Sequence, residues 1–322
     1  MGRKKVTIVK AINLALAQEM ERDKDVVLLG EDIGMDGGVF RATEGLLEKF
    51  GAQRVMDTPL AELGIVGTAI GMAAYGLRPI AEIQFMGFSY GALEQVFSHA
   101  ARIRSRSRGR FTCPMVIRTP YGIGIKAPEL HSESAEALYC HMPGIKVVAP
   151  STPYNAKGLL VSAIRDEDTV LFLEPASIYR AIKAEVPTEE YTIPLGKAAI
   201  MQEGSDITLV SWGAMLHRAM EASEGFDCEI IDLMTLKPFD EETILNSVKK
   251  TGRLVIVHEA TKNCGLGAEI SALVAEEAIF SLKAPVMRVA GPEAVTPMAM
   301  LEDDYVPGVD RIQEALKGVM KY

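Results

Sequence analysis

The chain has 322 residues, long enough for two ordinary domains, with 48% hydrophobic and 24% charged residues. Such a composition is typical of a globular protein with a substantial core. The net charge of −9 argues against a nucleic-acid-binding protein, because affinity for phosphate backbones depends on accumulated lysine and arginine. The sequence has no charge-free apolar run of about 18 residues, so we expect no membrane association.

Cysteine usage and the amino-terminal segment favour a protein of the reducing cytoplasm. The four cysteines are scattered and include no Cys-x-x-Cys pair, which indicates neither a disulfide framework nor a zinc site. The first 23 residues start with basic side chains and then place polar residues at helical intervals. This pattern predicts an amphipathic helix rather than a signal peptide.

Short runs rich in β-branched residues alternate with segments of helical periodicity through the first half of the chain. The candidate strands are DVVLLGED, RPIAEIQF, CPMVIRTPYG, GIKVVAPS and DTVLFLEP, and the candidate helices cover 10–22, 62–76, 90–105 and 153–165. These strands are apolar almost throughout, which indicates a parallel sheet covered by helices on both faces. In such α/β folds ligands bind at the carboxyl ends of the strands.

The alternation stops in a segment rich in proline and glutamate, at residues 183–197, which we interpret as a linker or edge strand. It then restarts with candidate strands DITLVSWG, CEIIDLMTLKP, RLVIVHEA and APVMRVAG and candidate helices at 214–224, 240–250 and 266–279. The sequence therefore predicts two α/β domains, at residues 1–187 and 188–322.

The segment TPLAELGIVGTAIGMAAYG, residues 58–76, carries the most informative pattern. Thr58 followed by Pro59 predicts a helix N-cap and first helical position, and the glycines and alanines that follow give the helix a very small face. Glu62 falls in the first turn, where the helix dipole favours an acid in any protein. Its apolar neighbours Leu60 and Leu63 favour a second interpretation, a buried carboxyl that shares a proton with a heterocycle.

Two loops that follow candidate strands carry further polar residues. GEDIGMDGGVFRAT, residues 30–43, contains Glu31, Asp32 and Asp36, which indicate either a site at a strand end or a solvated acidic loop. RTPYGIGIKAPELHSES, residues 118–134, is a long loop that contains His131. A lone histidine is usually structural or exposed, but long loops in compact domains are often functional.

Two other segments carry weaker signals. NCGLGAEI, residues 263–270, is similar to a dinucleotide fingerprint but lacks its third glycine, so we expect a tight strand-to-helix turn and no NAD site. Five arginines alternate over residues 102–110, which predicts a solvated helix end or a surface that faces a partner.

Several long motifs occur together and in one order from residue 5 to the carboxyl terminus. They are GEDIG, GGVFR, TPLAELGIVGTAIG, AEIQF, HSES and PGIKVVAPSTPYNAKGLL. In these motifs the chain resembles the beta subunit of the decarboxylating component of 2-oxo acid dehydrogenase complexes, of the branched-chain or pyruvate type. The resemblance implies a parallel-sheet, pyrimidine-type thiamine-diphosphate-binding domain, followed by an α/β domain like the transketolase C-terminal domain.

The resemblance also implies roles for individual residues. Glu62 matches the glutamate that hydrogen-bonds N1′ of the aminopyrimidine and thereby favours the tautomer whose 4′ nitrogen accepts the C2 proton. Glu31, Leu60, Gln84 and Phe88 match positions that line the same ring. The family often has tyrosine where Phe88 stands, so the tyrosine's hydrogen bond is lost here.

His131 matches the histidine implicated in acyl transfer to lipoamide. The family usually reads His-Ser-Gln at this point, whereas this chain has Glu133 at the third position. The additional carboxylate either faces His131 or faces solvent.

Related enzymes also hold a potassium ion on backbone carbonyls. The matching positions here are Cys113, Met115, Val116, Ala163, Asp166 and Asp168. Backbone ligation leaves little side-chain signature, so the sequence offers no separate support for this site.

The resemblance implies a divided active site. Chains that hold the diphosphate in this superfamily carry a Gly-Asp-Gly motif and a later Asn pair for Mg²⁺, and this sequence has neither. We therefore expect an alpha subunit to supply that site in an α₂β₂ heterotetramer, with a lipoyl acyltransferase core as acyl acceptor. The substrate is a branched-chain 2-oxo acid or pyruvate. The alternatives are a transketolase-like transferase subunit and a non-catalytic assembly protein.

Overall fold

The computed structural model describes residues 2–322 as alternating strands and helices. The strands are β1 Arg3–Thr7, β2 Val26–Gly30, β3 Val55–Asp57, β4 Arg78–Glu82, β5 Val116–Tyr121, β6 Lys146–Val148, β7 Val170–Pro175, β8 Lys183–Pro187, β9 Ala199–Gln202, β10 Ile207–Ser211, β11 Cys228–Asp232, β12 Thr235–Lys237, β13 Leu254–Thr261 and β14 Met287–Gly291. The α-helices are α1 Ile8–Arg22, α2 Leu46–Phe50, α3 Glu62–Ala74, α4 Ile103–Arg106, α5 Glu136–Cys140, α6 Pro153–Arg165, α7 Met215–Ala222, α8 Glu241–Thr251, α9 Leu266–Glu277, α10 Glu302–Tyr305 and α11 Val309–Val319.

The first sheet has the order β12-β6-β7-β5-β4-β2-β3, and its members other than β12 run parallel. Its central strands β2, β5 and β7 are buried along their whole length, as the apolar runs predict. Helices α1 and α6 pack against each other on one side of the sheet, and α3 covers strand β4 on the other. The predicted α/β arrangement with a covered parallel sheet is confirmed.

The second sheet has the order β14-β13-β10-β11-β9, with only β9 antiparallel within residues 2–322. Helices α7 and α11 pack together on it, and α8 contacts its strand β10. The restart of the alternation after residue 197 therefore corresponds to a second α/β unit, although the exact boundary at 187/188 stays a prediction. None of the helices formed by residues 2–322 is long and apolar enough to cross a membrane.

Strands β8 and β12 pair with strands that are distant in the sequence, and local sequence patterns do not predict these pairings. The run CEIIDLMTLKP divides at Met234, whose φ of +54° turns the chain, and β12 then pairs with β6 of the first sheet. Strand β8 pairs antiparallel with β1, so the first part of the proline-rich segment is an edge strand. The two units are thus connected by backbone pairing as well as by side-chain contacts.

Two helix predictions are wrong in detail. The helix predicted at 90–105 is broken into a 3-10 helix at Met86–Ala92, a π-helical turn at Gln95–His99, a second 3-10 turn and the short α4. His99, with φ −118° and ψ −69°, marks the change of helical register. In α3 the predicted cap at Thr58 is wrong: the Thr58 N–H bonds to the Gly30 carbonyl at 3.0 Å, and the helix begins only at Glu62, with Ala61 as its N-cap residue.

Candidate active site

The residues predicted to line the aminopyrimidine converge on the carboxyl edge of the first sheet. Glu31 directly follows β2, Glu62 is the first residue of α3, and Gln84 lies two residues beyond β4. The segment 86–92, which carries Phe88, packs against α3. Adjacent parallel strands end at the same edge, so separate sequence motifs meet at one place.

Glu31 is a buried carboxyl among other carboxyls, with only 6% of its surface exposed. Burial raises its pKa, and the neighbouring carboxylates of Glu62 and Asp32 raise the pKa further, while a backbone contact with Ala61 opposes them. Like charges placed this close favour retention of a proton within the group. The edge is therefore suited to hydrogen bonding with a nitrogen heterocycle.

Glu62 is only half-buried in the isolated chain. Because α3 begins at this residue, its carboxylate lies in the first turn, where the helix dipole favours negative charge. Leu60 and Leu63, the expected apolar neighbours, are 79% and 52% exposed. Residues 2–322 alone therefore do not enclose Glu62, and its surroundings are open to a ligand or a second chain.

The acidic loop after β2 is held in place by hydrogen bonds to neighbouring strand ends. The Asp57 carboxylate at the end of β3 accepts from the Gly34 N–H at 2.6 Å and the Met35 N–H at 3.2 Å. The Gln84 amide donates to Asp32 at 3.4 Å. Gln84 thus lies against this loop, within the same group of polar residues as Glu31.

His131 lies against two aromatic rings that follow β4. Its ring centroid is 4.4 Å from that of Phe85 and 5.1 Å from that of Phe88, and both contacts are edge-to-face. Its Nδ1 is 3.1 Å from the Pro128 carbonyl oxygen. Since a carbonyl oxygen only accepts, Nδ1 carries the proton of the neutral ring and Nε2 is left as a proton acceptor.

Glu133 is half-buried, and one of its carboxylate oxygens is bound by a tyrosine. The Tyr90 hydroxyl donates to Glu133 Oε2 at 2.8 Å. Burial raises the pKa of Tyr90, and this hydrogen bond raises it further, so Tyr90 remains a donor. The departure from the family's usual glutamine is therefore accommodated by a tyrosine on the segment next to Phe88.

A buried ionic network beneath this edge was missed by the sequence reasoning. Arg118 in β5 donates to both oxygens of Glu174 at 2.7 and 2.8 Å, and also to Glu82. The Tyr179 hydroxyl bonds to the same Glu174. Burial alone would lower the pKa of Arg118, but Glu174 and Glu82 raise it above its usual value. The guanidinium thus joins strands β4, β5 and β7.

A signal for this network was present in the sequence. Arg118 interrupts the otherwise apolar strand CPMVIRTPYG, and a charge in a fully buried strand requires a partner. Glu82 and Glu174 end the neighbouring apolar runs. Only the strand order, which places β5 between β4 and β7, identifies them as its partners.

The carbonyls expected to hold potassium lie on neighbouring segments, but several already accept hydrogen bonds. The Cys113 carbonyl accepts from the Met115 N–H at 2.8 Å and from the Thr169 hydroxyl at 3.1 Å. The Asp166 carbonyl accepts from the Arg78 guanidinium at 3.1 Å. A carbonyl oxygen has two lone pairs, so Cys113 has none free in this arrangement. The potassium site stays a prediction.

Comparisons with known proteins agree with this architecture. Residues 4–181 match the transketolase pyrimidine-binding domain family, and residues 196–312 match the transketolase C-terminal domain family. A solved structure described as a split-gene transketolase, an inactive beta4 tetramer, superposes with a TM-score of 0.79. The superposition covers 98% of this chain and 99% of that one at 21% identity, so this likeness concerns the fold alone. The two domain types predicted from the motifs are confirmed.

Relatives that match this chain over almost their full length identify the class of protein more closely. The chain is 51% identical to the pyruvate dehydrogenase E1 component subunit beta of Acholeplasma laidlawii, over 98% of both chains. It is 48% identical to the subunit of the same name in Bacillus subtilis and 46% identical to the 2-oxoisovalerate dehydrogenase subunit beta of that organism, each over 98% of this chain and 99% of the relative. The chain belongs to the family of beta subunits of the decarboxylating component of 2-oxo acid dehydrogenase complexes, as the motifs predict.

Proposed function

We propose that this chain, together with an alpha subunit, catalyses thiamine-diphosphate-dependent oxidative decarboxylation of a 2-oxo acid and reductive acylation of lipoamide. The observation that carries the proposal is the convergence of Glu31, Glu62, Phe88 and His131 at one sheet edge. This convergence supports the proposal, because a carboxyl group suited to the cofactor ring and a histidine suited to acyl transfer lie on adjoining segments of a member of this family.

Glu62 is the proposed partner of N1′ of the aminopyrimidine. Its side chain is accessible, and the buried Glu31 beside it provides a second carboxyl that favours retention of a proton. Leu60 and Phe88 offer apolar surface on which the ring can rest. Bound thiamine diphosphate would supply a ring carbon that, once deprotonated, can add to a 2-oxo group, and a ring that can take up the electron pair left behind when carbon dioxide departs.

His131 is the proposed residue for acyl transfer to the lipoyl group. Its Nε2 is the free proton acceptor of the ring, because Nδ1 is engaged with Pro128. Contacts with Phe85 and Phe88 hold the imidazole at the edge that carries the other site residues. In this position His131 can take a proton from, or return one to, the dihydrolipoyl sulfur.

The diphosphate and Mg²⁺ are assigned to the alpha subunit. The carboxylates of Glu31, Asp32 and Glu62 give this edge negative charge, which disfavours a diphosphate. Within residues 2–322, no group of three or more His, Cys, Asp or Glu side chains is arranged to hold a metal ion.

The open face of α3 supports a close contact between chains. Gly71 has open space where a side chain would stand, and the exposed Leu63 and Tyr75 leave apolar surface uncovered. Such a face permits the approach of another helix, which fits an alpha subunit in an α₂β₂ assembly. In this arrangement Glu62 becomes enclosed only when the alpha subunit is bound.

The first test is reconstitution with the cognate alpha subunit. We expect stable co-elution, and tight thiamine diphosphate binding only in the mixture, measured by calorimetry at fixed Mg²⁺. Tight binding of thiamine diphosphate and Mg²⁺ by this chain alone would contradict the divided site. Activity towards sugar phosphates instead of 2-oxo acids would favour the transketolase-like alternative, and co-elution without turnover would favour an assembly protein.

A substrate panel on the reconstituted enzyme decides between branched-chain 2-oxo acids and pyruvate. The same preparation tests the potassium prediction, because replacement of K⁺ by Na⁺ should lower the thermal midpoint if the carbonyls of 113–116 and 163–168 bind the ion.

Location in a reducing cytoplasm is supported by the free thiols of all four cysteines.

A further inference from the structure

The loop that carries His131, residues 122–135, is tied to the second α/β unit. Glu302 at the start of α10 is 1% exposed and directs its carboxylate into this loop. One of its oxygens accepts from the Gly124 N–H at 3.1 Å, and the other accepts from the Ser132 hydroxyl. A single carboxylate therefore bridges the beginning of the loop and the residue next to His131.

A second carboxylate of the same unit supports the beginning of the loop. Glu259 in β13 is buried and accepts from the Ile123 N–H. Gly122 has φ +80°, and a Cβ there would lie 2.5 Å from Glu259 Oε1, so only glycine permits this approach. The Gly122 N–H also bonds to the Glu133 carbonyl at 2.9 Å, which closes the loop at its base.

The other side of the loop is fixed by the segment after β4. A Cβ at Gly87 would lie 2.3 Å from the Leu130 carbonyl oxygen, so the two backbones are in direct contact. His131 contacts Phe85 and Phe88 on the same side. The loop thus lies between the cofactor edge on one side and Glu302 and Glu259 on the other.

We propose that Glu302 is a positioning residue for acyl transfer: it sets the place of His131 through Ser132 and Gly124. This rests on the proposed function, in which His131 serves lipoamide acylation. The contribution of the second α/β unit to the chemistry is then to hold the catalytic loop. A misplacement of about 1 Å can cost a catalytic group roughly a hundredfold in rate, so the loss of such an anchor is measurable.

The test is a double-mutant cycle in the assembled enzyme, with Glu302→Ala, His131→Ala and the double variant. Lipoamide acylation and decarboxylation with an artificial electron acceptor are both measured. We expect Glu302→Ala to lower kcat for acylation about tenfold and to change the artificial-acceptor rate much less. In the His131→Ala background the same substitution should have almost no further effect on acylation, because its target is gone.

Two further variants separate positioning from general stability. Asp304→Asn removes an exposed charge from the same short helix, α10, and should leave both rates unchanged. Ser132→Ala removes only the bond at the His131 end and should reproduce the acylation defect in a milder form. If Glu302→Ala does not fold, the same cycle with Ser132→Ala decides the question.

Glu302→Gln keeps one acceptor oxygen and should recover part of the acylation rate. Equal losses in both assays, or an undiminished Glu302 effect without His131, would overturn the positioning role. A normal acylation rate in His131→Ala would instead overturn the role of His131 in the proposed function. The two failures are therefore distinguishable.

Discussion

The imidazole of His131 meets the Phe88 ring edge to face, with centroids 5.1 Å apart and an angle of 77° between their planes. The family resemblance gives the two residues separate tasks, since Phe88 lines the cofactor ring and His131 serves acyl transfer. Their contact joins these tasks in one aromatic group. A change at Phe88 is therefore expected to affect both steps.

Phe88→Leu tests this relationship. Leucine keeps apolar bulk against the cofactor ring but loses the edge-to-face contact, worth about 1 kcal/mol. We expect acylation of lipoamide to fall roughly threefold to tenfold, with a smaller loss of artificial-acceptor decarboxylation. Phe111→Leu, at an exposed phenylalanine away from His131, is the matched control and should change neither rate.

Glu62→Gln in the assembled enzyme should reduce decarboxylation by about 10² to 10⁴, because the amide cannot supply the proton that the aminopyrimidine needs. Thiamine diphosphate affinity should change little, since the diphosphate is held elsewhere. The matched control is Glu48→Gln, an exposed acid in the first turn of α2. Unchanged turnover in Glu62→Gln would refute its assignment.

His131→Ala should impair lipoamide acylation more than decarboxylation measured with an artificial acceptor. The expected loss in acylation is about 10² or more, as for removal of a general acid or base. His141→Ala replaces an exposed histidine ten residues further along and should be neutral. Equal losses in both assays would point to a role in binding the cofactor or the 2-oxo acid.

Arg118→Met should destabilise the enzyme by about 3–5 kcal/mol, because it leaves Glu174 and Glu82 buried without their shared cation. The loss is read from denaturant unfolding, with the amplitude of the native signal as a check on folding. Arg104→Met breaks the exposed pair with Asp168 and should leave the midpoint almost unchanged. Similar midpoints for the two variants would contradict a stabilising role for the network.

Glu136 provides a prediction for the pH dependence of stability. Burial raises its pKa to about 7, although its own backbone N–H and the Trp212 side chain oppose the rise. These two contacts fall short of hydrogen-bond geometry, so neither oxygen has a full partner within residues 2–322. Between its ordinary value of 4.5 and about pH 7 the native state holds a proton that the unfolded chain has released. The contribution of this group to stability therefore falls as pH rises through that window.

Glu136→Gln removes this dependence with little change of shape. Relative to the unmodified enzyme, it should raise the free energy of unfolding by roughly 1–3 kcal/mol at pH 8 and change it little at pH 4. Thermal or denaturant unfolding across this pH range measures the difference. The control is Glu269→Gln, at an exposed glutamate of α9, which should change the free energy of unfolding at neither pH. If Glu136→Gln and the unmodified enzyme show the same dependence of stability on pH, the prediction is contradicted.

The sequence by itself determined the alternation of strands and helices, the family and the identity of the candidate site residues. Apolar runs of strand length can only be buried in a covered sheet, so β2, β5 and β7 follow from local patterns. Motifs placed after those strands meet because parallel strands end together. Glu31 and Gln84 are therefore predictable from their distance to a strand end.

Only the tertiary structure decided which distant groups pair. Ser132 and Glu302 are 170 residues apart, and Arg118 meets Glu82 and Glu174 only because of the strand order. Local helix signals also failed at Thr58, because α3 begins at Glu62 with Ala61 as its N-cap residue. Hydrophobic periodicity records which face of an element is buried, whereas the partner of a buried charge depends on which elements become neighbours.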